Sequence, residues 1–150
     1  MKKALIIFTL LVVIVTVLYF QKPNTKIQEM MSVDNSPTPT IFSAYTARFE
    51  IYTLGTKRIF TASMYHNLSE DVFINSSDPN VVQVKTAGVT WNDFFQTLPF
   101  ELTKDCLTTG TGQKFCSNEK QSLKFYLNES EDGNVLDKEI LPNDFLRVAY

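Results

Sequence analysis

The sequence predicts an α+β fold, a mixed sheet with one short helix packed on it, preceded by a single N-terminal transmembrane helix. Three observations carry this. An uncharged apolar run fills residues 4–20. Several later stretches alternate apolar and polar residues as half-buried strands do. A single stretch beyond the run, TWNDFFQTL at 90–98, combines helical spacing with a start signal.

The run ALIIFTLLVVIVTVLYF holds 17 residues and only Thr9 and Thr16 interrupt it. As a helix rising ~1.5 Å per residue it covers roughly 26 Å, close to the hydrocarbon thickness of a bilayer. A cleavable signal has an apolar stretch of about 7–15 residues and a small-residue cut site. Here the run is longer and ends in Tyr19-Phe20-Gln21-Lys22, so it reads as an uncleaved signal-anchor. Lys2 and Lys3 hold residues 1–3 in the cytoplasm and send the C-terminal part across. The expected localisation is the cell membrane, single-pass, with the C-terminal domain extracytoplasmic. Residues 21–40 are polar and carry Pro37 and Pro39, which suit an extended linker. Residues 41–150 then form the extracytoplasmic domain, long enough for one core.

Beyond the run stand 12 Lys+Arg (14 in all, less Lys2 and Lys3) against 16 Asp+Glu. A net charge of −4 argues against nucleic acid as a partner. Twelve Phe and six Tyr favour strands over a helical bundle. Cys106 and Cys116, in an oxidising compartment, read as one disulfide. A thiol oxidoreductase would want C-x-x-C, and a structural zinc site wants four ligands.

Within the domain, residues 47–54 (ARFEIYTL) alternate and form the first strand, which Gly55 ends. Residues 58–65 (RIFTASMY) are expected to return as its hairpin partner. Residues 66–80 are mostly polar, a long loop or ragged strand with an apolar island at Val72-Phe73-Ile74. VVQVK at 81–85 is a strand. Thr90 and Asp93 make a T-x-x-D capping box, and Trp91, Phe94, Phe95 and Leu98 follow at i, i+3, i+4, i+7, the spacing of a packed helix face. Pro99 stops the helix. Residues 102–117 are read as the disulfide loop, with Gly110-Thr111-Gly112 a flexible turn. SLKFYLN at 122–128 alternates, Asp132-Gly133-Asn134 is a turn, and residues 145–150 close the sheet as a last strand.

The order of these elements resembles a β-grasp domain. TWNDFF (90–95), CLTTGTGQKFC (106–116), LKFYLN (123–128) and ILPNDFLRVAY (140–150) carry a closer resemblance. They look like a group of small membrane-anchored or secreted bacterial and archaeal proteins with a T-x-x-FF helix, a Cys-bracketed loop and a closing G-D-x-L strand. The resemblance covers residues 41–150 and implies a β-grasp-like mixed sheet. The closing pattern also looks, more distantly, like β-grasp domains of the cobalamin-carrier type. The small membrane-anchored or secreted group often has histidines in its N-terminal half. Here Thr46-Ala47-Arg48, Asn75-Ser76-Ser77-Asp78 and Gln83 stand in their places, leaving only Asp78 as a potential ligand.

Chemistry-bearing candidates are few. His66 is the one imidazole, and a Ser-His-Asp reading needs geometry the sequence does not supply. Residues 128–139 (NESEDGNVLDKE) follow the spacing of a calcium loop, with Asn128, Ser130 and Asp132 at positions 1, 3 and 5, Gly133 at 6 and Glu139 at 12. The strand-like flank and Pro142 favour an acidic hairpin turn instead. The weak metal candidates are therefore His66, Asp78, Asp132 and Glu139. No cofactor and no catalytic residue is expected. The expected function is a membrane-tethered binding module, not an enzyme. It contacts the membrane through residues 4–20 and binds a protein, peptide or small molecule. A metal-binding protein of copper or calcium type is the alternative, and a hydrolase the third reading.

Overall fold

The computed structural model describes residues 42–150. The expected transmembrane helix at 4–20 and the linker at 21–40 lie outside the described residues. Among the described residues no helix is long and apolar enough to cross a membrane.

The architecture is α+β, with a large mixed sheet, a small second sheet and one short helix. The centre is β1 (Tyr45–Thr53), whose alternation buries Ala47, Phe49, Ile51 and Thr53 and turns Arg48, Glu50 and Tyr52 to the other face. Parallel to it runs β10 (Phe145–Ala149), with Phe49 opposite Leu146 and Ile51 opposite Val148. The ladder continues past Ala149, where Tyr150 N–H donates to the Tyr52 carbonyl and Leu54 N–H to that of Tyr150. β8 (Lys124–Leu127) pairs antiparallel with β10, and β9 (Ser130–Glu131) pairs with β8.

The other edge of β1 is divided, and this corrects the expected hairpin. β4 (Val81–Val84) occupies Tyr45 to Arg48 and the Asn80 carbonyl takes the Phe49 N–H, while β2 (Thr56–Lys57) pairs only with Tyr52 and Thr53. The turn between β1 and β2 is Leu54-Gly55 with φ of 51° and 75°, the conformation of tight two-residue hairpin loops. Beyond Lys57 the chain leaves the sheet and makes a 3-10 turn at Ser63–Tyr65. The apolar island became β3 (Val72–Ile74), paired with β4.

The helix α1 (Trp91–Thr97) begins as expected. Thr90 Oγ1 accepts from Asp93 N–H, and the Asp93 carboxylate accepts from Thr90 N–H at 2.8 Å. Trp91 N–H, left over at the helix start, donates to the Lys138 carbonyl. Trp91, Phe94 and Phe95 are fully buried. They meet Phe49, whose ring centroid lies 5.1 Å from Phe94 and 5.8 Å from Phe95. The Trp91 indole N–H finds no acceptor among the described residues.

Residues 102–117 are more ordered than a loop. β5 (Glu101–Leu102), β6 (Cys106–Thr108) and β7 (Lys114–Cys116) form a three-stranded antiparallel sheet. Cys106 and Cys116 stand opposite each other in it and are disulfide-bonded. The acidic hairpin itself closes at Asn128-Glu129, both at positive φ, and the expected Asp132-Gly133-Asn134 turn follows it, with Asp132 Oδ1 accepting the Asn134 N–H. Residues 135–137 form a second 3-10 turn.

Two stability outcomes follow. Replacing both cysteines by serine should lower the unfolding free energy by about 2–3 kcal/mol, from the loop-closure entropy of so short a ring. Urea titration measures it. Trp91→Ala should cost about 3–5 kcal/mol, as large core truncations do. Trp91→Phe should cost much less, because it also removes a buried donor without an acceptor. Equal losses for the two Trp91 variants would refute that reading of the indole.

Candidate functional site

The principal concavity is a cleft of about 510 Å³ between the segment after β2 and the small sheet. Its walls are mainly apolar, with Phe60, Tyr65 and Phe100 on one aromatic chain: Phe60 lies 5.3 Å from Tyr65 and 5.9 Å from Phe100 between ring centroids. Leu107 of β6 adds an aliphatic surface. At the mouth, Ile59 is 73% and Met64 53% exposed, far more than apolar side chains of this size need be in a finished core. The peptide from Arg58 to Phe60 explains the contrast: Phe60 is buried while its neighbour Ile59 points outward.

The opposite wall is Thr109-Gly110-Thr111. A Cβ on Gly110 would lie 2.7 Å from the Pro99 carbonyl oxygen, so only glycine lets this turn close against the segment leaving α1. The disulfide one strand away holds β6 and β7 in register beneath it. The loop read as a flexible turn is thus a fixed wall of the cleft.

Arg58 also lines the cleft and is half-buried. Its backbone N–H donates to the Ile51 carbonyl, its Nε donates to Thr53 Oγ1 at 2.6 Å, and its guanidinium lies 5.1 Å from the centre of the Phe115 ring. Among the described residues no carboxylate pairs with it.

The candidates drawn from the sequence lie apart. His66 Nε2 is 2.8 Å from the Phe60 carbonyl oxygen, which fixes an N–H on that nitrogen. Its side chain makes no hydrogen bond to a serine or carboxylate among the described residues. Asp78 sits in a turn, accepting from Asn80 N–H while its own N–H donates to Asn75 Oδ1. Asp132 is ion-paired to Lys138. Glu139 accepts the Gly88 N–H at 2.7 Å, and its backbone bridges to Thr90 at the helix start. No group of three or more His, Cys, Asp or Glu side chains converges on one point among the described residues. Of the positions with calcium-loop spacing, Ser130 belongs to β9, Asp132 pairs with Lys138 and Glu139 accepts from Gly88.

Sequence reasoning missed the cleft. Its signal was the pair Ile59-Phe60, where two consecutive large apolar residues break the alternation of a half-buried strand. It also missed Asp144, 5% exposed, whose carboxylate accepts from Asn128 Nδ2 and Leu141 N–H while Asn128 Oδ1 accepts the Phe145 N–H. This lock joins the β8–β9 turn to the start of β10.

Opposite the helix, the large sheet presents a face that no element among the described residues covers. Glu50 accepts from Lys57 Nζ at 2.6 Å and from the Tyr52 hydroxyl at 2.9 Å, and Lys124 pairs with Glu131. Arg147 stacks on Tyr126, 4.7 Å from the ring centre.

No family model matches the chain, and no curated protein or solved structure matches it.

Three carboxyls are held below their ordinary values by their partners: Glu50 by Lys57, Asp93 by the Thr90 hydroxyl, and Asp132 by Lys138. A lowered carboxyl stabilises the fold fully above its unfolded pKa and loses that effect as pH falls through its folded one. With ordinary values of 4.5 for Glu and 3.8 for Asp, stability should be flat near neutrality and decline below about pH 4.5. Thermal melts from pH 7 to pH 2 check this. Asp93→Asn should lower the neutral plateau by about 1 kcal/mol through the lost cap and flatten the acid decline.

Proposed function

We propose that residues 41–150 are a β-grasp-like binding module, held outside the membrane by the 4–20 run, that takes an apolar small molecule into the cleft. The single observation that carries this is the cleft itself. It has a volume in the range of ligand pockets, aromatic and aliphatic walls, and exposed Ile59 and Met64 at its mouth. Isolated exposed apolar residues are ordinary, but two flanking one concave apolar surface favour a contact site.

The fold reading is supported by the strand order β4-β1-β10-β8-β9, with first and last strands parallel at the centre and one helix crossing from β4 toward β8. This order fits the β-grasp-like arrangement. The non-enzymatic reading is favoured by His66, whose Nε2 is engaged by a backbone carbonyl. A metal reading has no observation in its favour.

The test is methyl NMR on the full chain in zwitterionic nanodiscs with a panel of small aromatic fragments. Shifts of the Ile59, Met64 and Leu107 methyls, with Val82 and Ile140 unmoved, are expected. Met64→Asp should abolish them. If no fragment moves the cleft methyls selectively, the cleft is not a binding site.

A further inference from the structure

The face of the large sheet opposite α1 has a charge at odds with the rest of the domain. The strands alternate, so its side chains follow from register: Arg48, Glu50 and Tyr52 on β1, Arg147 on β10, Lys124 and Tyr126 on β8, Glu131 on β9 and Lys57 on β2. Over β1, β2 and β8 to β10 the charges are four cations and two anions, a net +2, and the β3–β4 edge adds Lys85, which lies over Phe73. Residues 42–150 carry 10 Lys+Arg (14 less Lys2, Lys3, Lys22 and Lys26) and 14 Asp+Glu (16 less Glu29 and Asp34), a net −4. Everything outside those six charged positions therefore sums to −6.

The pairing inside the face is more telling than the count. Lys57 neutralises Glu50, and Lys124 neutralises Glu131. Arg48 and Arg147 are left, both exposed, with no carboxylate partner among the described residues. They stand diagonally on neighbouring strands, Arg48 opposite Phe145 and Arg147 opposite Glu50. A strand pair is a stiff mount, and Tyr126 under the Arg147 guanidinium restrains it further. Glu50, held by Lys57, lies between the two forks, and half-buried Tyr52 and Tyr126 flank Arg147, Tyr52 one pair along β1 and Tyr126 opposite it on β8.

We propose that this face docks an acidic protein partner, with Arg48 and Arg147 each taking a carboxylate. A guanidinium presents a planar fork that matches a carboxylate in bidentate geometry. Arg and Tyr are the residues that carry most energy at protein interfaces. A net +2 on a domain of net −4 is too weak to hold a polyanionic lipid or nucleic-acid surface, but suits a local patch of carboxylates. The net −6 remainder disfavours the same partner on average and so biases the encounter toward this face. This inference does not depend on the cleft.

Fluorescence anisotropy tests it, using the full chain in zwitterionic nanodiscs and a labelled Glu-rich peptide, with a Gln-rich peptide of equal length as control. The Glu-rich peptide should bind, more weakly as salt rises, and the control should not. Arg48→Glu with Arg147→Glu should weaken binding by about tenfold or more with the thermal midpoint unchanged. Arg48→Lys with Arg147→Lys should recover part of it, because charge returns without the fork. Two results would overturn the proposal. One is equal binding of both peptides, or of wild type and the double reversal. The other is displacement of the peptide by anionic vesicles that bind the face better than it does, which would make the face a lipid reader.

Discussion

The structure depends on the parallel pairing of β1 with β10. A parallel pair cannot be closed by a tight turn, so everything between residues 53 and 145 has to leave the sheet and return to it. The chain does this by laying β4 on the far side of β1, crossing the buried face with α1, and coming back through β8 and β9. Once β1 is central, its alternation decides both faces. Phe49 and Ile51 look into the core, and Arg48, Glu50 and Tyr52 look out. A slip of one residue would place the charged row against α1 and expose the row that packs there, so register here is strongly specified.

Phe49 is where the pairing becomes a core. Its ring meets Phe60, Phe94 and Phe95, so one side chain touches the segment after β2 and the helix together. The helix spans only residues 91–97, too short to be stable alone, and its end is fixed from outside. Its capping box, the Trp91–Lys138 bond and the Glu139–Gly88 bond anchor the start, and aromatic burial anchors the rest. What the sequence offered as a calcium ligand is in fact part of this clamp.

Elements decided by local chemistry were legible. The capping box and the i, i+3, i+4 spacing located α1, and alternation located β1, β4, β8 and β10. What could not be read were outcomes of competition between distant segments. RIFTASMY has the composition of a strand, yet β4 takes most of the β1 edge that it would need, and nothing near residues 58–65 announces that. The residues between the cysteines contain turn signals, and only pairing with β5 reveals them as a small sheet. Arg58 and the cleft were invisible for the same reason: Ile51, Phe60, Phe100 and Leu107 meet only in three dimensions. Asn128 to Glu139 carry a calcium-like spacing, yet the strand-like flank already favoured a hairpin, and the turn at Asn128-Glu129 sends the spaced positions apart.

The two surfaces singled out are separated by the same alternation that builds the sheet. Ile51 lines the cleft while its neighbours Glu50 and Tyr52 belong to the open face. At β2 the division passes between consecutive residues. Lys57 reaches across to Glu50 on the open face, and Arg58 turns to Thr53 and Phe115. Occupants of the two surfaces would not collide, since a sheet lies between them. They would share the short segment Thr56 to Arg58, which has only two residues of ladder to hold it. The sheet thus isolates the surfaces sterically, and Lys57 and Arg58, adjacent in the chain, take part in one surface each.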